Sequence, residues 1–344
     1  MNNTPFFTIG IPVYNMAKWV GECLDSILSQ DFDDFEIICV DDGSKDNSLE
    51  VLNTYAQKDD RIKIVARKNG GVSTARNCIF CYAAGKYIYT IDSDDTMCEN
   101  VLSRAFEAIK KENYPDILQT GHKEFKNGIT TEFSRPYPGD EYFLPNISGD
   151  ERALKLWIGR TFKPFGSTRF LKSDFIRSNG IMFSQRYSFL EDSAFCFDIY
   201  RKADTIAYCD IYSFVYQRSR DNSLERHPLT KAIKNTIIRW EDFYKDVENW
   251  NISDHCRTLL KKERTIYLTE IRHTLLTIFD ESLNKADAFS AAEIIDDMLG
   301  TQIKKLPLPK GQNGIICLMF RIIGIKNTIT LLYSYLKLKG VIKE

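Results

Sequence analysis

Apolar, β-branched runs alternate with amphipathic stretches along the N-terminal part of the chain, and each apolar run stops abruptly at polar residues. Positions 6–13 read as a strand that Tyr14-Asn15 ends. Over 17–29, Trp19, Val20, Cys23, Leu24, Ile27 and Leu28 recur every three or four residues, forming one apolar stripe of a helix. A second strand, 35–40, breaks into Asp41-Asp42-Gly43-Ser44, and Asp46, Asn47 and Ser48 supply helix-start chemistry for 49–57. A third strand spans 62–66, Asn69-Gly70-Gly71 makes a turn, and 72–84 is a helix that Gly85 stops. Tyr87 to Ile91 has strand character again and ends in Asp92-Ser93-Asp94-Asp95. This β-α-β-α-β-α-β order with short connections predicts an α/β fold, a parallel sheet wound with helices. Its polar clusters fall at the carboxyl ends of strands, where open α/β sheets bind ligands.

Beyond this point the pattern predicts a helix over 100–111, a strand over 116–119, and loops or hairpins over 125–148. A helical stretch runs from Glu151 to Trp157, and a shorter one lies near 172–178 after Phe165-Gly166-Ser167. Glu191 and Asp192 open a helix whose Phe195, Phe197, Ile199 and Tyr200 are apolar, a place where the helix dipole welcomes acids. Two short strands, 206–210 and 212–217, precede a loop bearing Arg218, Arg220 and Ser223. From 230 to 298 the chain reads as helical, and 304–310 is a break. Apolar runs over 315–325 and 331–338, flanked by Arg321, Lys326, Lys337, Lys339 and Lys343, leave three readings open. They are peripheral membrane contact through 311–344, packing on the core, or packing on a second copy in a homo-oligomer.

Charge narrows the choice of partner. With 46 basic and 47 acidic residues the net charge is −1, so no global field attracts nucleic acid. Nine cysteines follow no repeating framework. Cys78 and Cys81, in the one C-x-x-C, lie in a helical pattern without a second pair to complete a zinc site, so packing on a helix face is expected. Free thiols fit a reducing cytoplasm. The first residues lack a basic segment, so no signal peptide is expected, and no apolar run approaches the ~20 residues of a spanning helix. A dinucleotide-binding fold calls for G-x-G-x-x-G after the first strand, where this chain has Pro12-Val-Tyr-Asn15.

Crowded carboxylates at Asp92, Asp94 and Asp95 repel one another unless a cation joins them. Ile11-Pro-Val-Tyr-Asn15, Val40-Asp-Asp-Gly-Ser44, Asn69-Gly-Gly-Val-Ser-Thr-Ala-Arg-Asn77 and Ile91-Asp-Ser-Asp-Asp95 follow one another in that order. Together they resemble the four successive motifs of family 2 glycosyltransferases, strongly over roughly the first 100 residues and more weakly to about residue 225. The resemblance implies a GT-A fold, Rossmann-like, with a mostly parallel central sheet flanked by helices and here a helical C-terminal extension. It implies a nucleotide-sugar half over 1–98, an acceptor half over 99–225 and a helical region over 226–344.

By the same resemblance Asp42 would accept the N–H of uracil, with Pro12 and Tyr14 walling the base pocket. Gly71 would let backbone approach the ligand. Arg76 would approach the pyrophosphate or hold the aspartate cluster. Asp94 would bind Mn²⁺ or Mg²⁺ directly. Asp92 would reach the ribose or a metal-bound water, and Ser93 belongs to the same nucleotide-binding set. Further along, Asp192 matches the family's catalytic base, and Glu191 would orient it or bind the acceptor. The implied partners are a UDP-sugar donor and a glycan or lipid-linked oligosaccharide acceptor, in a bacterial enzyme of capsule, O-antigen or exopolysaccharide synthesis. Its expected place is the cytoplasm, at the inner face of the cell membrane. Two other classes stay open: a non-catalytic nucleotide-sugar-binding or scaffold protein, and a nucleotidyltransferase. The latter calls for a Gly-rich basic loop that 12–18 does not supply.

Overall fold

A computed structural model describes residues 4–134, 148–158, 166–185, 191–217, 237–238, 241–245, 247–250, 252–277, 285–306, 325, 328 and 331. The chain divides into two compact units, Met1–Ser223 and Leu224–Glu344.

In the first unit, β1 (Phe7–Val13) lies between β2 (Phe35–Asp41) and β4 (Tyr87–Thr90), and β3 (Ile62–Ala66) pairs with β2, all in parallel. β1 and β2 are buried along their whole length, which is why their sequences run almost continuously apolar instead of alternating. The crossovers are made by α1 (Val20–Leu28), α2 (Ser48–Ala56) and α3 (Val72–Tyr82). Register places Val13 opposite Asp41 and Gly10 opposite Thr90, so the residues after β1, β2 and β4 emerge at one edge of the sheet. Gly10 permits a close approach of α3: a Cβ there would lie 2.3 Å from Ile79 Cγ2.

The rest of the sheet is mixed. β5 (Thr96–Met97), β6 (Ile117–Lys126), β7 (Ile129–Ser134), β8 (Arg169–Lys172) and β9 (Ile206–Gln217) complete nine strands in the order β3-β2-β1-β4-β8-β6-β9-β5, with β7 on β6. β8 runs antiparallel to both β4 and β6, whereas β6 and β9 are parallel. Helices α4 (Val101–Lys111), α5 (Gly149–Ile158), α6 (Ser173–Ser178) and α7 (Glu191–Lys202) accompany these strands. Phe6, Phe7, Phe32, Phe106 and Phe170 pack ring against ring on one side of β1 and β4.

Several expectations change. β9 is one strand of twelve residues, not two, because its ladder with β6 absorbs the interruption at Asp210 as a register shift near Gly121. β6 continues to Lys126 and turns into β7 through Asn127 and Gly128, at φ 52° and 82°, the positive angles a tight hairpin turn requires. β5 and β8 are strands that the pattern did not indicate. Cys81 is exposed and Cys78 partly buried, so helix-face packing accounts for Cys78 only in part.

In the second unit, α8 (Asp254–Thr277) and α9 (Lys285–Lys304) are the described long helices, with Cys256, Leu268, Ile295, Leu299 and Ile303 buried. Among the described residues no helix is long and apolar enough to cross a membrane. The loop 218–223 and nearly all of 311–344 lie outside the described residues.

Candidate active site

Helix α3 organises the site. Its N-cap is Gly71, at φ 86°, a backbone angle that favours glycine, and nothing lies within 4 Å of where a Cβ would project. Just before it, the buried carboxylate of Asp42 accepts the backbone N–H groups of Gly70, at 3.1 Å to both oxygens, and of Gly71 at 2.7 Å. Arg67 Nη1 stands 3.1 Å from Asp42 Oδ1. Asp42 therefore holds the glycine turn in shape, a role that spacing did not disclose. Asp41 similarly accepts Ser44 N–H at 3.3 Å.

The loops after β1 and β2 are laced together. Asn15 N–H donates to Ser44 Oγ, Met16 N–H to Ser48 Oγ, Ala17 N–H to Asp46 Oδ2, and Lys45 N–H to Asn15 Oδ1. Pro12 is buried in β1, opposite Val40, while Tyr14, just past the strand, is exposed.

Further along α3, Arg76 is buried, its side chain 4% exposed. Its Nη2 donates to Asp92 Oδ1 at 2.8 Å; its Nη1 donates to Asp192 Oδ1 at 2.8 Å and to Glu191 Oε1 at 3.1 Å. One guanidinium thus gathers a carboxylate from the end of β4 and two from the first turn of α7. The guanidinium lies 5.1 Å from the centre of the Phe183 ring, which stacks on Phe195 at 3.9 Å. Asn77, the next residue on α3, fixes that platform: its Nδ2 donates to Phe183 O and its Oδ1 accepts Phe183 N–H. Sequence reasoning gave Asn77 and Phe183 no role; the Arg-Asn pair inside the third motif was the available signal.

The acidic run after β4 divides its work. Asp95 is buried and accepts the N–H of Gln217 at 3.0 Å, tying the turn to the end of β9. Ser93 is buried as well, whereas Asp92 and Asp94 are partly exposed. Among the described residues no three His, Cys, Asp or Glu side chains group to hold a metal by themselves. Two partly exposed carboxylates nevertheless suit a hard divalent cation that takes few protein ligands and completes its shell with phosphate and water oxygens.

Asp192 is the electrostatically unusual member. Burial, joined by the charges of Glu191 and Asp92 and opposed by those of Arg76 and Arg169, pushes its pKa up to about 7. A carboxyl poised there can take a proton near neutral pH.

Comparison with known proteins gives the same direction. Residues 8–179, half of the chain, match the model of glycosyl transferase family 2. Uncharacterized glycosyltransferase EpsJ of Bacillus subtilis is 31% identical over 238 residues, covering 67% of this chain and 65% of that protein. Poly(ribitol-phosphate) beta-glucosyltransferase of Bacillus spizizenii is 33% identical over 218 residues, covering 62% of this chain and 32% of its own length. The match thus spans less than two thirds of either relative. Among solved structures, S. aureus TarS 1–349 in complex with UDP-GlcNAc superposes with a TM-score of 0.61 at 19% identity, covering 96% of this chain and 91% of that one. The mannosyltransferase PcManGT from Pyrobaculum calidifontis, in complex with GDP-Man and Mn²⁺, gives 0.54 at 14% identity, covering 97% and 87%. These superpositions establish the shared GT-A-like fold.

Proposed function

The chain belongs to glycosyl transferase family 2, and from that premise we propose that it moves a sugar from a UDP-activated donor to a hydroxyl of a bacterial surface glycan, inverting the anomeric carbon. The observation that carries this reading is the single guanidinium of Arg76 joining Asp92, 16 positions away in sequence, to Glu191 and Asp192, 115 and 116 positions away. It puts a donor-side carboxylate and a basic carboxylate in one frame.

Asp192 takes the proton of the acceptor hydroxyl as that oxygen attacks the anomeric carbon. A new carbon–oxygen bond forms, the bond to the diphosphate breaks, and its electron pair leaves with the nucleoside diphosphate. One displacement from an α-linked donor yields a β-linked product. With Oδ1 of Asp192 committed to Arg76, Oδ2 is the oxygen assigned to the acceptor. Glu191 orients this pair through the same guanidinium nitrogen. Asp94 and Asp92 are the residues that would hold Mn²⁺ or Mg²⁺, which when bound stabilises charge on the departing diphosphate. Backbone N–H groups at the start of α3, after Gly71, suit the pyrophosphate.

Asp42, with Pro12 and Tyr14 beside it, is assigned to the uracil. An ionised carboxylate offers about four acceptor positions; Gly70, Gly71 and Arg67 make four contacts to it, so the imide N–H of uracil would share or replace one of them. A relative named for glucosylating poly(ribitol-phosphate), and a fold neighbour solved with UDP-GlcNAc, support a UDP-sugar and a surface-polymer acceptor. A lipid-linked glycan presented at the cytoplasmic face of the membrane is the acceptor we assign.

The test is calorimetric binding of UDP, GDP and ADP, each with and without Mn²⁺, to the wild type and to Asp94→Ala. UDP binding that needs both Mn²⁺ and Asp94 is the expected result. A GDP preference would keep the reaction and discard the role of Asp42. A folded sample that binds none of them would sink the donor site.

A further inference from the structure

Asp92 is asked to serve two cations. Its Oδ1 accepts from Arg76 Nη2 at 2.8 Å, and the same carboxylate belongs to the pair assigned to the divalent ion. Arg76 pairs with each of Asp92, Glu191 and Asp192, one positive charge facing three negative ones when all are ionised, with Arg169 acting on Asp192 as well. Its position is built, not incidental. The guanidinium is buried, lies over the Phe183 ring, and rests on a segment that Asn77 clamps through both backbone groups of Phe183. Lysine offers a point charge in place of a planar fork and does not reproduce two nitrogens serving three carboxylates.

We propose that Arg76 is a positioning residue that acts as a resident counter-ion, holding Asp92 and Asp192 in register and competing with the divalent cation for Asp92, so that the cation binds well only together with the diphosphate of the donor. The inference rests on the assignment of Asp92 and Asp94 as cation ligands. Its consequence is specific: without nucleotide, the protein holds the cation weakly because Arg76 already neutralises part of the site.

Mn²⁺ titrations followed by electron paramagnetic resonance, without nucleotide, test this in the wild type, Arg76→Gln, Glu191→Gln and Asp94→Asn. Arg76→Gln is expected to bind Mn²⁺ about fivefold or more tightly, the scale of losing a partly screened neighbouring cation. Its turnover should meanwhile fall by about a hundredfold, since a catalytic base displaced by an ångström loses that much. Damage to the fold moves both quantities downward, so opposite signs identify competition. Should Arg76→Gln not fold, the double variant Arg76→Gln/Glu191→Gln removes one anion with the one cation and is read against Glu191→Gln alone. Mn²⁺ binding that needs Asp94 but is unchanged or weaker without Arg76 overturns the inference alone. Mn²⁺ binding that is absent from the wild type even when UDP is added, or indifferent to Asp94→Asn, overturns the cation site and the inference with it.

Discussion

At Asp192, folding and the proposed role as base pull one ionisation in opposite directions. Burial and the neighbouring acids push its pKa up to about 7, while the base role requires the ionised form. The acidic limb of kcat/KM against pH should therefore lie near 7, and it belongs to the coupled cluster, not to one residue. The sign for stability follows separately. An unfolded Asp titrates near 4, so between about pH 4 and 7 the folded state binds the additional proton, and stability falls as pH rises through that window. Asp192→Asn removes both effects. Its turnover should drop by about 10²–10⁴-fold, while its melting temperature should decline less between pH 5 and pH 8 than that of the wild type. Activity within tenfold of the wild type would remove Asp192 from the base position. Glu191→Gln, which leaves Asp192 ionisable, should shift the acidic limb of kcat/KM downward by removing a neighbouring negative charge, and a pH–rate profile checks it.

At the scale of elements, α3 depends on how closely it lies on the sheet. The 2.3 Å approach that a Cβ on Gly10 would make to Ile79 leaves no room for alanine without moving the helix. Gly10→Ala should cost about 1–3 kcal/mol by overpacking, measured by urea unfolding, and should lower turnover because Arg76 rides on the same helix. Unchanged turnover in a destabilised protein would show that the charge cluster tolerates the shift. β1, β2 and β4 were legible because both their faces are buried, so apolar runs mark them directly. α1 and α4 were legible by periodicity, each burying one stripe. β8 was not: it has four residues, and its Arg169 is fully buried where a charged residue predicts solvent. β9 was split in reading because Asp210 interrupts an apolar run that pairing with β6 carries through. The site behaves similarly. Asp42, Asp92, Asp94 and Asp192 stand out in the sequence as carboxylates beside turns or helix starts. The pairing of Glu191 and Asp192 with Arg76, and the seating of Phe183 by Asn77, are contacts between residues 106 to 116 positions apart that no local pattern encodes.

At the scale of the whole molecule, every assigned group of the donor and base sites belongs to Met1–Ser223, although these groups come from five separated stretches of sequence. A donor nucleotide that uses them all must order them together, because a ligand that binds only the folded state stabilises whatever it touches. Hydrogen exchange read by mass spectrometry should then show protection, on adding UDP with Mn²⁺, in peptides covering 38–44, 69–78, 90–96 and 191–196. UDP alone should protect the first two stretches, which carry Asp42, Gly71 and the start of α3, more than the last two. Adding Mn²⁺ should extend protection to the turn of Asp92 and Asp94 and, through Arg76, to the first turn of α7. In Arg76→Gln the first three stretches should still respond while 191–196 does not, since the guanidinium ties α3 to the acids of α7. Equal protection of 191–196 with and without Arg76 would mean that the ligand reaches α7 by itself, and the base would be coupled to the donor by direct contact instead of through the buried arginine.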